Sequence, residues 1–307
     1  MSKRPYTHVS FSDESNWNTG RYRSIGMVSA ERSVALELHS ELAKRLDESD
    51  VRDFKWLKLK TAKQRFAAEK ILDSVAKRLS DQLMRFDILC WDSQDYRHTV
   101  AGRDDAANLQ RMYFHLFRNV MRLRWPSDCI WKHMPDEQTA LDWNGVEYYL
   151  RQKSHTYVTE LDSVCADLEE DTTFGGVLKR NFNICEIAPC KSHEMALCQA
   201  ADLLAGIGCY SREHYREYGA WSAHQGYADL LFDDGSNQPS RRQEERHRII
   251  QDLIQMIHRM GFDIDIDRDK GFRTWDPNLP LNFWWYEPKS WQDKAPSSLS
   301  PLSWGGR

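Results

Sequence analysis

A helix that is apolar on nearly every side but contains one aspartate constrains this chain more than any other feature of its sequence. The helix is predicted over residues 194–210, and Asp202 lies in its middle. Aspartate is a poor helix former and is costly to bury without a partner. Small residues near it allow a close approach to a sheet, namely Ala200, Ala201, Ala205 and Gly206. We therefore predict that this helix packs on a sheet and directs the Asp202 carboxylate towards it; the alternative is an exposed aspartate on a narrow polar stripe.

The first predicted strand ends in acidic residues. Within residues 7–15, Val9 and Phe11 alternate with polar residues, which is the period of a half-buried strand. Because side chains along a strand point to alternate faces, Asp13 falls on the same face as these two residues. A carboxylate at the rim of a buried face needs a partner that offsets its charge. We predict that a metal ion is this partner, with Glu14 either orienting a water molecule or supporting the ligands from behind; the alternative is a turn that begins at Asp13.

Two further strands are predicted to end in the same way. One covers residues 85–93 and carries Asp92 on its apolar face, and a shorter one over residues 129–134 is followed by Asp136. Carboxylate oxygens suit Mg²⁺ or Mn²⁺ better than zinc. We predict that four acids hold such ions, namely Asp13, Asp92, Asp136 and Asp202. For Asp92 and Asp136 an ordinary turn at a strand end is the alternative.

The order of elements predicts an α/β domain. A second strand over residues 22–30 forms a hairpin with the first, and an amphipathic helix follows over residues 31–47. Alternation of apolar and lysine residues predicts a third strand over residues 51–60, before a helix capped by Thr61. A last strand is predicted over residues 183–188. We expect one domain over residues 1–212, and an extension over residues 213–307 that is helical at first and then irregular.

Composition limits the classes of protein. The 307 residues are 41% hydrophobic, which is enough for a core, and the formal net charge of −4 argues against a broadly basic nucleic-acid coat but not against a local basic groove. No apolar run is long enough to span a membrane, so a membrane is not expected among the partners of this protein. The seven cysteines are expected to be reduced thiols of a cytoplasmic protein.

Three weaker patterns remain open. Four residues have spacings loosely like a zinc knuckle, namely Cys185, Cys190, His193 and Cys198. Arginines over residues 111–122 and 241–248 suit either phosphate contacts or a solvated helix face. The aromatic run at residues 283–286 suits base stacking, core packing or a protein partner.

Several short motifs resemble a known family. They are Asp13-Glu14-Ser15 at the end of the first strand, Asp53-Phe54-Lys55-Trp56, and Cys190-Lys191-Ser192 followed by residues 199–206. The resemblance is to the bacterial family catalogued as domain of unknown function 3800, which is placed among RNase H-like folds, and it covers residues 7–210. The family usually has glutamate where this chain has Asp53, so the reach of this residue to a shared metal is reduced and its role is auxiliary.

The resemblance implies a mixed five-stranded sheet with its first strand central and helices on its faces. It also implies carboxylates on the first strand, the fourth strand and the last helix, which correspond here to Asp13, Asp92 and Asp202, with a further acid after the fifth strand at Asp136 and Glu137. We predict a nuclease that hydrolyses phosphodiesters of RNA or DNA with Mg²⁺ or Mn²⁺. The alternative is a non-catalytic binding or scaffold subunit on the same fold, contacting a protein through its aromatic C-terminal region, as in a prophage or anti-phage defence complex.

Overall fold

The computed structural model describes residues 5–95, 104–137, 139, 141–143, 174–226, 239–267 and 270–287. Eight strands lie in these ranges: β1 (His8–Ser15), β2 (Tyr22–Glu31), β3 (Met84–Asp92), β4 (Trp131–Pro135), β5 (Ile184–Ile187), β6 (Ile264–Asp267), β7 (Gly271–Thr274) and β8 (Leu281–Trp285). Seven α-helices accompany them: α1 (Arg32–Glu48), α2 (Ala62–Ser80), α3 (Asp105–Phe117), α4 (Phe174–Phe182), α5 (Ala196–Glu213), α6 (Tyr215–Gly226) and α7 (Arg241–Met260).

The main sheet is mixed and has six strands in the order β5-β4-β1-β2-β3-β8. The hairpin of β1 and β2 continues antiparallel into β3, whereas β4 is parallel to β1, β5 is parallel to β4 and β8 is parallel to β3. The predicted α/β class, the first hairpin and the interior position of the first strand are therefore confirmed. The sheet has one strand more than the five that were expected, because β8 extends it at the β3 edge.

The two faces of the sheet are covered by different helices, as the alternation along β1 requires. Val9 and Phe11 belong to a core that also contains the buried faces of α1, α2, α5 and α7. The opposite core takes Ile25 and Met27 from β2 and packs them against α3 and α4. Asp13 faces the first core and Glu14 faces the second, so these neighbouring acids lie on opposite sides of the sheet.

The third strand predicted over residues 51–60 is wrong. This segment is a loop with one 3₁₀ turn at Trp56–Lys58, and its apolar side chains Phe54, Trp56 and Leu59 are buried against the helices. The backbone N–H groups of Phe54 and Trp56 donate to side chains on α5 instead of to a neighbouring strand. The apolar side chains of this loop are buried at uneven spacing, and Leu57 is 67% exposed, so the alternation along the sequence did not correspond to a strand.

The extension after residue 212 is more regular than expected. After α6 and α7 the chain forms the β6–β7 hairpin, and β8 then pairs with β3 in the main sheet. Phe283 and Trp285 of the aromatic run are buried in the core, so core packing is the confirmed interpretation for these two residues. None of the helices among the described residues combines the length and the apolarity that a membrane crossing requires.

Helix α5 approaches the sheet closely because a glycine lies beneath it. A Cβ atom added to Gly26 of β2 would stand 2.4 Å from the backbone oxygen of Ala201, and 3.2 Å from the Cβ of Ala205. Gly206 instead allows the loop over residues 51–60 to pack closely on α5, since a Cβ at this position would overlap the ring of Trp56. The close approach predicted from the small residues of this helix is thus confirmed, and it brings Asp202 to the end of β1.

Replacement of Gly26 by alanine tests this contact. Because the new methyl group would press on backbone, which cannot move aside like a flexible side chain, Gly26→Ala should lower the free energy of unfolding by about 1–3 kcal/mol. Gly219→Ala is the matched control, since nothing lies within 4 Å of a Cβ at this position in α6. Chemical denaturation of both variants measures the difference, and equal stability of the two would contradict the proposed contact.

Candidate functional site

Three buried carboxyl groups from distant parts of the chain meet at one end of the sheet. Asp13 lies near the end of β1, Asp136 directly follows β4, and Asp202 lies within α5. Strands β1 and β4 are parallel neighbours, and the backbone N–H of Asp136 donates to the carbonyl of Ser12 at 2.9 Å. The three residues are only 7, 2 and 6% exposed, in that order. We call the carboxyl groups of Asp13, Asp136 and Asp202 the acid cluster.

The ammonium group of Lys55 lies inside the acid cluster. Its Nζ donates to Oδ2 of Asp13 at 3.0 Å and to Oδ2 of Asp136 at 2.5 Å. The Asp202 carboxylate is close enough to stabilise the charged ammonium as well. Burial opposes the charged form of Lys55, but these carboxylates outweigh it and hold the pKa of Lys55 above its ordinary value. Sequence reasoning quoted Lys55 within a motif and missed this contact.

The loop that carries Lys55 is fastened to α5 on both sides of the lysine. The N–H of Phe54 donates to Oε1 of Gln199 at 2.7 Å, and the N–H of Trp56 donates to Oδ2 of Asp202 at 2.6 Å. Gln199 is itself held, because its amide nitrogen donates to the carbonyl of Ser192 at 2.9 Å. The backbone at Lys55 is therefore fixed, and the loop presents the side chain to the acid cluster.

Arginines of α7 brace the same loop from the outside. Arg246 donates to the carbonyl of Trp56 at 2.9 Å, and its guanidinium lies over the rings of Trp56 and Tyr210 at 4.6 and 5.2 Å. Arg242 donates to the carbonyl of Leu57 at 3.1 Å. Burial lowers the pKa of Arg246 to about 10. Both arginines therefore bind backbone oxygens of the protein. Arg246 is buried, which was neither of the two roles considered for it, whereas Arg242 lies on the exposed face of the helix.

The acid cluster holds more negative charge than Lys55 can neutralise. Burial, followed by the nearby Asp202 carboxylate, raises the pKa of Asp13 well above its ordinary value, although Lys55 acts in the opposite direction. Burial also raises the pKa of Asp202 to about 6, against the lowering effects of Lys55 and the Trp56 N–H. Titratable groups with such shifts are concentrated at functional sites, although structural ion pairs show them too.

Glu14 anchors a chain of polar groups on the opposite face of the sheet. Its Oε1 accepts hydrogen bonds from the Tyr113 hydroxyl at 2.5 Å and from the Thr139 hydroxyl at 2.7 Å. Tyr113 lies 2.9 Å from the hydroxyl of Ser12, and this hydroxyl lies 3.4 Å from Nε2 of His133. Burial raises the pKa of Glu14 and lowers that of His133 to about 3. Glu14 therefore supports the end of β1 and lies outside the acid cluster.

Asp92 does not join the acid cluster, contrary to the sequence prediction. The register places Asp13 in a row with Gly26 and Ile88, so Asp92 lies four residues further along β3, roughly 13 Å at the usual rise of a strand. Its carboxylate forms a two-pronged ion pair with Arg21, with Nη2 to Oδ2 at 2.7 Å. Asp92 has the same local pattern as Asp13, and only the strand register separates it from the cluster. The false third strand added to the error, because the fourth strand in the structure is β4, and the acid that follows β4 is Asp136.

The other candidate ligands lie apart. Asp53 pairs with Lys58 at 2.7 Å at the surface. Of the residues with zinc-knuckle spacing, Cys190 and Cys198 are buried with their sulfur atoms 2.9 Å apart, whereas Cys185 is exposed and His193 lies near Glu194. Within the part of the chain that the structure describes, no group of three or more His, Cys, Asp or Glu side chains is arranged to hold a metal ion.

The acid cluster nevertheless has the donor chemistry of a site for a hard cation. Its oxygens are carboxylates, its charge is only partly offset, and a cation, the Lys55 ammonium, already binds two of its three members. The side chain of Lys55 is 18% exposed, so the residue that supplies this ammonium is itself in contact with solvent. A divalent cation on these oxygens would require that the ammonium leave them.

The chain is similar to two archaeal proteins. It is 35% identical over 294 residues to Uncharacterized protein ORF2' of Methanothermobacter thermautotrophicus, a match that covers 93% of this chain and 96% of that protein. It is also 35% identical over 295 residues to Uncharacterized protein ORF2 of the same organism, covering 94% of this chain and 96% of the relative. The chain belongs to the family of these two proteins. Their names assign no activity, and no family model matches this member of the family.

The pKa of Asp202 makes a prediction about stability. This carboxyl group binds a proton more tightly in the folded protein, with a pKa of about 6 against 3.8 when unfolded. The folded state therefore holds more protons between these values, and the free energy of unfolding falls as the pH rises from about 4 to about 6. Asp202→Asn removes this effect, so in metal-free buffer it should be more stable than wild type at pH 7, by up to about 3 kcal/mol.

Denaturant unfolding of the two proteins at several pH values measures this difference. The advantage of Asp202→Asn should shrink as the pH falls from 7 to about 3, below both pKa values, where the wild-type carboxyl group is protonated in both states. If the free energies of unfolding of the two proteins change with pH in parallel across this range, Asp202 does not carry the excess charge of the cluster.

Proposed function

We propose that this protein is a metal-dependent nuclease that hydrolyses phosphodiester bonds of RNA or DNA. The observation that carries the proposal is a group of three buried carboxyl groups, those of Asp13, Asp136 and Asp202. The first two bind the same Lys55 ammonium, and the third stabilises its charge. Their sequence positions are far apart, and each comes from a different element. Such a costly concentration of charge is hard to explain as core structure, because apolar residues would fill the same space without it.

An RNase H-like arrangement and membership of the bacterial family with the resembling motifs are part of this proposal. Support comes from the strand order, since β1 lies between β4 and β2 in a mixed sheet. It also comes from the positions of the acids. With the strands counted as the structure has them, carboxyl groups lie at the end of the first strand, after the fourth strand and in a late helix. These positions correspond to three of the four places that the resemblance implies; the acid that it implies after the fifth strand is not among them.

Asp13, Asp136 and Asp202 would hold Mg²⁺ or Mn²⁺. A bound ion of this kind activates a water molecule and stabilises the charge that develops on the phosphate. The protein fixes the orientation of its own ligands: the N–H of Glu14 donates to Oδ1 of Asp13 at 2.8 Å, and the N–H of Trp56 donates to Oδ2 of Asp202 at 2.6 Å. Each of these contacts leaves the other carboxylate oxygen directed elsewhere, so both side chains are oriented before a ligand arrives.

The contact of Lys55 with the cluster also supports the second candidate function, a binding or scaffold subunit without catalysis. If the ammonium is a permanent partner, the acids form a structural ion-pair network and the protein acts through its surfaces. A protein partner would then contact the aromatic C-terminal region, where Trp275 is 52% exposed. Melting temperature with and without Mn²⁺ separates the candidates, because an ion that binds only the folded protein raises it.

Substitution of the cluster acids tests the nuclease. The assays use single-stranded and duplex RNA and DNA with Mn²⁺. The cleavage rates of Asp13→Asn and Asp202→Asn should each fall more than about 100-fold, which exceeds the loss expected for residues that only support metal ligands. Asp92→Asn is the matched control, because it also neutralises an acid at a strand end, but at a distance from the cluster. It should keep wild-type activity.

The melting temperature of each variant shows whether it is folded. Activity that survives in both cluster variants would remove the nuclease proposal, and so would the absence of cleavage by the wild-type protein on all four substrates. The second outcome, together with a Mn²⁺-independent melting temperature, favours the scaffold.

A further inference from the structure

We propose that the Lys55 ammonium is a tethered cation that occupies the acid cluster in the metal-free protein and is exchanged for the divalent ion. This inference rests on the proposed function, because it describes how the same site takes up its metal. It assigns to Lys55 a competing role that neither the resemblance nor the comparisons supply. The observation behind it is the bridging position of Nζ between Oδ2 of Asp13 and Oδ2 of Asp136.

The two cations exclude each other. A divalent ion on the same oxygens would stand a few ångströms from the ammonium, and like charges at that distance repel strongly at a buried site. An ammonium group offers only N–H donors and cannot act as a ligand to the ion while it is charged. Either the metal binds and Lys55 leaves, or Lys55 stays and the apparent affinity for metal is reduced.

Lys55 can leave without any rearrangement of the backbone. Its neighbours Phe54 and Trp56 are held by Gln199 and Asp202, so the chain on both sides stays in place. The side chain is a flexible four-carbon stem, and it reaches the cluster from the solvent side with 18% of its surface exposed. Rotation of the stem is therefore sufficient to move the ammonium out of the cluster into solvent.

The exchange has a use in both states. In the metal-free protein the ammonium offsets part of the charge of the cluster, which limits the penalty of burying these acids. After exchange it remains within one side-chain length of the metal, where a phosphate group of the substrate arrives. Charge-assisted hydrogen bonds from an ammonium to phosphate oxygens are strong, so Lys55 then becomes a positioning residue for the substrate.

Mn²⁺ affinity of lysine variants tests the exchange. Lys55→Met keeps the stem and removes the charge, so titration calorimetry should show a Kd for Mn²⁺ at least about tenfold lower than that of the wild type. Lys58→Met is the matched control, since Lys58 lies on the same loop and pairs with Asp53 at the surface. Its Kd should stay within about twofold of the wild-type value.

A charge-balanced pair of variants covers the case in which Lys55→Met does not fold. Lys55→Met combined with Asp136→Asn removes one positive and one negative charge, and it should bind Mn²⁺ at least about tenfold more tightly than Asp136→Asn alone. Equal or weaker binding in the variants without Lys55, or no binding of Mn²⁺ in any of these proteins, would overturn the exchange.

The wild-type protein gives a second, independent measurement. Acetylation by an amine reagent, followed by mass spectrometry of peptides, should be slow at Lys55 without metal, and Mg²⁺ should accelerate it as the ammonium is released. Lys58 should react equally with and without Mg²⁺. Protection of Lys55 by Mg²⁺ would contradict the exchange, because it would mean that the metal tightens the site around the lysine.

The two proposals fail in different ways. Tighter Mn²⁺ binding by Lys55→Met without cleavage by any form of the protein supports the exchange and removes the nuclease. Cleavage by the wild type, together with unchanged Mn²⁺ affinity in Lys55→Met, supports the nuclease and removes the exchange.

Discussion

The burial of three carboxyl groups with a single bridging ammonium is the constraint on which the rest of this structure depends. Each charge removed from water must be offset by donors, and here the donors come from β1 and from the loop over residues 51–60: the N–H groups of Glu14 and Trp56, and the ammonium of Lys55. The offset is incomplete, as the raised pKa values of Asp13 and Asp202 show. A stable core has no need of such an arrangement, and this is why the pocket is interpreted as a site.

The fold brings these groups together through two features of the sheet. Parallel pairing of β1 with β4 places the C-terminal ends of both strands side by side, so Asp13 and Asp136 become neighbours although more than a hundred residues separate them. The absence of a side chain at Gly26 then lets α5 approach β2 closely, and the helix carries Asp202 to the same end of the sheet. Side chains of α5 also fasten the loop with Lys55. Helix α5 therefore supplies the Asp202 carboxylate and also positions Lys55, whose ammonium group partly neutralises the cluster.

Local patterns predicted some parts of this arrangement and could not predict others. Asp202 and Asp13 were recognisable, because an acid in an apolar helix and an acid on the buried face of a strand are anomalies within a few residues of sequence. Asp92 shows the same local pattern, but the register that separates it from the cluster depends on pairing between distant segments. The role of Lys55 was hidden for a similar reason: a lysine in an alternating segment is ordinary, and only the tertiary structure shows which acids it meets.

The loop around Lys55 shows why strand-like alternation misled the sequence analysis, and why this matters for the site. Apolar and lysine residues can alternate in an irregular loop as well as in a strand, and the hydrogen-bond partners of the backbone decide which of the two forms. Here the partners of Phe54 and Trp56 are the side chains of Gln199 and Asp202, about 145 positions later in the chain. A strand would have used these backbone donors in a ladder. Because they are used by α5 instead, the position of Lys55 depends on Asp202, so one of the proposed metal ligands also holds in place the lysine that we propose as the competitor of the metal.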